Sequence, residues 1–171
     1  DYMEHEKGGL DDLKLISHSL SDHTGDDVAL YMAHKPIINC PVFRGLEGGL
    51  IRRVTLELVS HFYSRGTKVV RQDECADGAF FVACGDVDIT IDDDAVAAVT
   101  SPGCVAEGAL LSDCVMPYAA TCASYCELWF LSKLRFDATL ASYPDARAEI
   151  MRTLPKRVKT YKKRSKRTIS R

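Results

Sequence analysis

The 171-residue chain has no apolar run approaching the roughly 20 residues that cross a bilayer. Its first residues, DYMEHEKGG, lack the basic-then-apolar order of a secretory signal. Both absences predict a soluble piece of chain. It begins at Asp1 and not at a Met, which suggests a fragment or processed product whose parent could carry a membrane portion upstream. Cysteines stand at 40, 75, 84, 104, 114, 122 and 126, an odd number with no C-x-x-C pair, and this usage fits thiols in a reducing compartment. The five histidines never fall at i, i+4, so no metal is expected. A Ser-His-Asp order, paired acids in a cleft signature and a P-loop are all missing, so nothing supports an enzyme. No segment repeats.

Hydrophobic residues make up 46% of the chain, enough for one sizeable core, and the length favours one domain with extra helices over two. Net charge is −2, yet residues 156–171 hold nine Lys or Arg and no acid, leaving 13 basic against 24 acidic residues before them. The body is therefore about −11 and the tail +9. A run such as KKRSKR reads first as a solvated, disordered end and second as a contact for anionic lipid or a partner. No nucleic-acid module precedes it, and nucleic acid is not an expected partner.

In LDDLKLISHSL, residues 10–20, Leu10, Leu13, Ile16 and Leu20 share one helical face behind acids in the first turn. A second helix is predicted over DDVALYMAHK, ending at Pro36, followed by an apolar link, PIINCPVF. Leu50, Val54, Leu58 and Phe62 then recur at four-residue steps, predicting a third helix with Arg52 and Arg53 outward. From Tyr63 the period changes. GTKVV, AFFVACGDVDITI, AVAAV and CELWFL are short β-branched or aromatic runs separated by glycines, the Asp92–Asp94 triplet and Ser101-Pro102-Gly103. DVDITI alternates acid with Val or Ile, as a strand with one wet face should. Helical patterns return at KLRFDATLASY and, after Pro144, at DARAEIMRTL. The order is helices, a small β barrel or roll, helices.

One segment of that roll suggests chemistry. Pro102-Gly103 ends a strand, and Ala109, Leu110 and Leu111 are predicted to start a short helix. Backbone N–H groups at such a start suit an anion such as phosphate, and Gly108 permits close backbone approach. The Glu107 carboxylate would repel phosphate but can accept hydrogen bonds from hydroxyls such as those of a ribose. From the local residues alone, the commoner role of such an acid is to cap the turn.

Residues from about 40 to 155 resemble the cyclic nucleotide-binding domain family. NCPVFRGL is similar to the entry into its roll. GTKVVRQDECADGAFFVACGDVDIT is similar to its glycine-punctuated strands, and CELWFLSKLRFDATLASYP to its last strand and following helix. AEGALLSDCVMPYAAT resembles the family's phosphate cassette, F-G-E-[LI]-A-L-L followed by P-R-A-A-T. DYMEHEKGG and DDVALYMAHKPIINCPVF resemble the C-linker of hyperpolarisation-activated, cyclic nucleotide-gated and ether-à-go-go-type channels.

The resemblance implies an α+β fold: an antiparallel, jelly-roll-like β roll with N-terminal linker helices and C-terminal helices. It divides the chain into C-linker-like helices at 1–40, the roll with flanking helices at 41–155 and the basic tail at 156–171. By family position, Glu107 holds the ribose, Ala106, Gly108 and Ala109 lie along the phosphate side, and Ala119 stands where channels often carry Thr. Arg157 and Tyr161 would reach the purine. The implied ligand is cAMP or cGMP, with no other cofactor, and the implied partners are further channel subunits in a homotetramer at the cytoplasmic face of a membrane.

The chain makes four departures from the family: Val105-Ala106 for F-G, Gly108 for an apolar residue, Tyr118 for the phosphate arginine, and Asp73 for a turn glycine. Losing one charge-assisted hydrogen bond costs about 1.5–3 kcal/mol, roughly 10- to 150-fold in affinity. The sequence thus predicts impaired binding of ordinary cyclic nucleotides. Its second reading is a soluble cyclic nucleotide or nucleoside sensor of the protein kinase A regulatory type.

Overall fold

GAFFVAC and CELWFLS are apolar at nearly every position, the pattern of strands covered on both faces. In the computed structural model, which describes residues 35–113, 115–150 and 152, they are β3 (Gly78–Cys84) and β8 (Cys126–Ser132). They pair antiparallel, with Phe80 opposite Phe130 and Val82 opposite Leu128. With β1 (Val59–Tyr63) and β6 (Cys104–Val105) they form one sheet in the order β1-β8-β3-β6. A second sheet, in the order β2-β7-β4-β5, contains β2 (Lys68–Val70), β4 (Asp86–Ile91), β5 (Asp94–Thr100) and β7 (Ala119–Cys122). Helices α1 (Gly48–Leu56), α2 (Lys133–Ala141) and α3 (144–150), with 3-10 turns at Pro41–Phe43 and Glu107–Leu110, complete the described fold. This is the predicted α+β arrangement, an antiparallel roll with helices beside it.

Side-chain alternation along β3 and β8 separates two cores. Ala79, Phe81, Trp129 and Leu131 face the helices, where Phe43 packs edge-on against Phe136 at 5.7 Å and lies 6.0 Å from Phe81. Val82, Cys126 and Leu128 face the roll interior with Val87, Ala120 and Met116. On the helix side, the buried Glu127 carboxylate accepts from the Ser60 hydroxyl at 2.8 Å and the Trp129 indole N–H at 3.3 Å. In β4, by contrast, Asp86 and Asp88 are exposed while Val87 and Ile89 are buried, as the alternation predicts.

The structure corrects two helix boundaries. The pattern Leu50, Val54, Leu58, Phe62 does not run on as a helix: α1 stops at Leu56 and Val59–Tyr63 is β1. A valine and three rings in five residues suit a pleated surface, and all five positions pair with β8. Pro36, expected to end a helix, sits inside helical backbone at 35–39, and its carbonyl accepts from the Cys40 N–H at 3.2 Å. The helices read over 10–20 and from Asp26 lie outside the described residues, as does the tail from 156. No helix among the described residues is long and apolar enough to cross a membrane.

The two sheets meet at tight turns. Gly85, between β3 and β4, has φ 90°, and an added Cβ would come 2.5 Å from the Tyr125 carbonyl oxygen. The Gly85→Ala variant should therefore lose about 2 kcal/mol or more of stability in denaturant titration.

Of the cysteines described, Cys40, Cys122 and Cys126 are buried and Cys75 and Cys84 exposed, all as free thiols. Burial, with a smaller effect of the Cys126 side chain, pushes the Cys122 thiol from its ordinary 9.0 up to about 12. Cys75 and Cys84 should be alkylated in the native protein at pH 8, and Cys122 only on unfolding. Because the folded-state value is the higher one, the stabilising contribution of Cys122 is complete below pH 9 and declines as pH rises toward 12. The melting temperature of Cys122→Ala should then show a shallower alkaline decline than that of the unsubstituted chain.

Candidate functional site

The cassette begins where β6 ends. Ala106 follows in the left-handed conformation, φ 58°, ψ 22°, and turns the chain into the 3-10 segment Glu107–Leu110. Within the turn the Ala109 N–H donates to the Ala106 carbonyl at 3.0 Å, and the Leu111 N–H to that of Gly108 at 3.1 Å. Ala106 and Ala109 belong to the roll interior, whereas Leu110 and Leu111 belong to the helix-side core. The turn is thus anchored on both sides of the central sheet, with Glu107 half-buried at its first position.

Tyr118 reaches the same point from the loop before β7. That loop is held by a reciprocal pair of backbone bonds, Met116 N–H to the Glu74 carbonyl at 2.9 Å and Asp73 N–H to the Met116 carbonyl at 2.8 Å. Asp73 itself is left-handed, φ 63°, as a residue in a turn-glycine position must be. The Tyr118 ring is half-buried against the roll interior, and its hydroxyl accepts the Ala106 N–H at 2.8 Å. Ala119 is buried in β7 opposite Thr90.

Ala106, Glu107, Gly108, Ala109 and Tyr118 are therefore gathered in one place, with three differences from expectation. The helix predicted from Ala109 is a four-residue 3-10 turn starting at Glu107. The Ala109 N–H is used inside that turn and does not face outward. Among the described residues nothing lies near the position of a Cβ on Gly108, so none of them requires a glycine there; the residue with the unusual backbone is Ala106. Arg157 and Tyr161 lie outside the described residues.

From Gln72 to Ser132 the chain contains eleven Asp or Glu and no Lys, Arg or His. The whole cassette, both strands leading into it and both strands leaving it lie in that span, so no cation from it can meet a phosphate. No group of three or more His, Cys, Asp or Glu among the described residues is placed to hold a metal ion.

The left-handed alanine makes a stability prediction. About 1–2 kcal/mol of backbone strain is relieved by glycine at such a φ, against about 0.8 kcal/mol for one buried methyl. The Ala106→Gly variant should gain roughly 0.5–1 kcal/mol in denaturant titration.

Comparison with known proteins agrees with this geometry. The cyclic nucleotide-binding domain family matches residues 60–143. The voltage-gated inwardly rectifying potassium channel KCNH3 of Homo sapiens is 27% identical over 81 residues, which is 47% of this chain and 7% of the channel. The Rattus norvegicus channel gives the same values. The chain thus spans a small fraction of the length of these relatives. Among the described residues, eight antiparallel strands in two sheets and the short turn at Glu107 coincide with the match, and it is residues 60–143 that are similar to the cyclic nucleotide-binding domain family.

Proposed function

We propose that this chain is a regulatory, non-catalytic domain of a tetrameric potassium-type channel. It lies on the cytoplasmic face of the membrane and couples the state of its roll to pore gating. The family match and the likeness to KCNH3 support the assignment to a channel. In this reading residues 1–40 join the roll to the pore and bring subunits together, and the basic tail meets anionic lipid.

The site is impaired for cAMP and cGMP. The observation that carries this is the Tyr118 hydroxyl on the Ala106 N–H at 2.8 Å: a protein side chain occupies a donor at the position where the family cassette meets phosphate. Glu107 keeps a ribose-accepting carboxylate, Gly108, Ala109 and Ala119 line the turn and the adjoining strand, and the resemblance assigns the purine contact to Arg157 and Tyr161. A phosphate entering here would displace the tyrosine and find no arginine in return, at a cost of about 1.5–3 kcal/mol.

Titration calorimetry tests this with cAMP, cGMP and inosine. The unsubstituted chain should show no binding of either cyclic nucleotide below about 1 mM, and Tyr118→Arg should tighten cAMP binding roughly 10- to 150-fold. Tyr118→Phe, which removes only the hydroxyl, should not reproduce that gain. Micromolar binding of any of the three ligands to the unsubstituted chain would instead favour a soluble nucleotide or nucleoside sensor.

A further inference from the structure

We infer that the outward face of α2 is the docking surface for residues 10–20 of the same chain, laid parallel to it as an amphipathic helix. Leu134, Ala138 and Ala141 recur at i, i+4 and i+7 of α2, and all three are exposed. They point directly away from Phe136, Thr139 and Leu140, which are buried on the core side of the same helix. Leu134 is 80% exposed, the most exposed large apolar side chain among the described residues. A surface helix ordinarily turns polar residues outward, so an apolar stripe on that side marks a place of contact. Residues 10–20 carry the complementary stripe, Leu10, Leu13, Ile16 and Leu20, on a segment too short to hold as a helix in water unless a surface covers it. The chain that follows them enters the fold on the side of α2, because Ile37 and Cys40 are buried in the same core as Phe136 and Leu140. Only residues 21–34 lie between, and attachment through one chain favours this contact over the same contact made from another copy.

The flanking charges set the direction. At about 100° per residue, Arg135 lies on one side of the α2 stripe and Asp137, 2.7 Å from Lys133, on the other. Asp12 and Lys14 flank the stripe of residues 10–20 in the same manner, one on each side. Laid parallel, the two helices bring Asp12 toward Arg135 and Lys14 toward Asp137 in a single register, because both pairs are equally far apart in the chain. Laid antiparallel, they would set Lys14 against Arg135 and Asp12 against Asp137. Arg135 already meets Glu57 at 3.7 Å, yet it and Asp137 each keep about half of the side chain exposed and can take a second partner. The contact does not depend on the channel reading. Under that reading it would set the segment leading toward the pore on the helix that shares a core with Leu110 and Leu111.

Hydrogen exchange and carbodiimide coupling of the full chain test the docking. The backbone amides of residues 10–20 should be protected, and Leu134→Asp should speed their exchange roughly 10-fold or more, since a leucine-sized apolar contact is lost. The amides of β3 and β8 should keep their protection in that variant, because Leu134 contributes nothing to the core. Lys14→Asp or Asp137→Lys alone should weaken the protection roughly 2- to 5-fold, and the two together, which exchange the charges, should restore it. Carbodiimide should couple Lys14 to Asp137 within one copy in a mixture of isotopically light and heavy chains. Residues 10–20 that exchange without protection, or at a rate indifferent to Leu134→Asp, overturn the inference. So does coupling of Lys14 to other acids in place of Asp137. Coupling between light and heavy chains would assign the surface to a second copy and overturn docking within one.

Discussion

Strands β3 and β8 must satisfy two cores at once, and the rest of the roll is arranged around that requirement. Their residues alternate between the helices and the interior, so neither strand has a face in water. A shift of one residue in their register would exchange Phe81 and Trp129 with Val82 and Leu128. Such a slip would drive the Phe81 and Trp129 rings into an interior whose buried members are all aliphatic or sulfur-containing, and leave the smaller Val82 and Leu128 beneath Phe43 and Phe136. The register is fixed by volume on both sides, which is why the other strands can be short.

The cassette turn inherits its position from the same constraint. It leaves β6, which pairs with β3 at Phe80 and Phe81, and within six residues it supplies Ala106 and Ala109 to one core and Leu110 and Leu111 to the other. A conventional helix of that length would project its first N–H groups outward. The 3-10 turn instead closes its bonds internally, and Tyr118 takes the Ala106 N–H. The left-handed strain at Ala106 persists because both neighbouring cores hold the chain in place.

Much of this was legible in the sequence for a physical reason: buried strands and amphipathic strands leave different periodicities. The apolar runs of β3 and β8 and the acid-apolar alternation of β4 mark their elements directly. The boundary between α1 and β1 was hidden because Leu58 and Phe62 continue a helical spacing by coincidence. The choice there is made by β8, which pairs residues 59–63 and lies more than sixty positions away. The strand Ala119–Cys122 was equally hidden, since four small residues carry little periodicity, and its place depends on β2 and β4. In the cassette, Glu107 and Tyr118 lie beside one turn, but the partner of Tyr118 could not be read from spacing. The hydroxyl and the N–H it accepts lie twelve positions apart, and the backbone bonds that Met116 makes to Asp73 and Glu74, with the pairing of β7 to β2 and β4, hold the intervening chain in place.

These contacts also limit how a regulatory roll of this kind can work. A ligand shifts a conformational equilibrium only by its differential affinity for the two states. The cassette is mechanically connected to the helices, because Leu110 and Leu111 pack in the same core as Phe136, Leu140 and Ile150. Close-packed cores pass displacement on and do not absorb it. A change at Ala106 is therefore felt under α2, whatever causes it. In a nucleotide-responsive roll the cause is an incoming phosphate. On the reading proposed for this chain, Tyr118 already supplies the acceptor for the Ala106 N–H, so the turn is held by the chain's own residue before any ligand arrives. On that same proposed reading, the route from turn to helices is kept while its usual input is taken, and the bias that the roll imposes on its helices is a property of the sequence and not of nucleotide concentration.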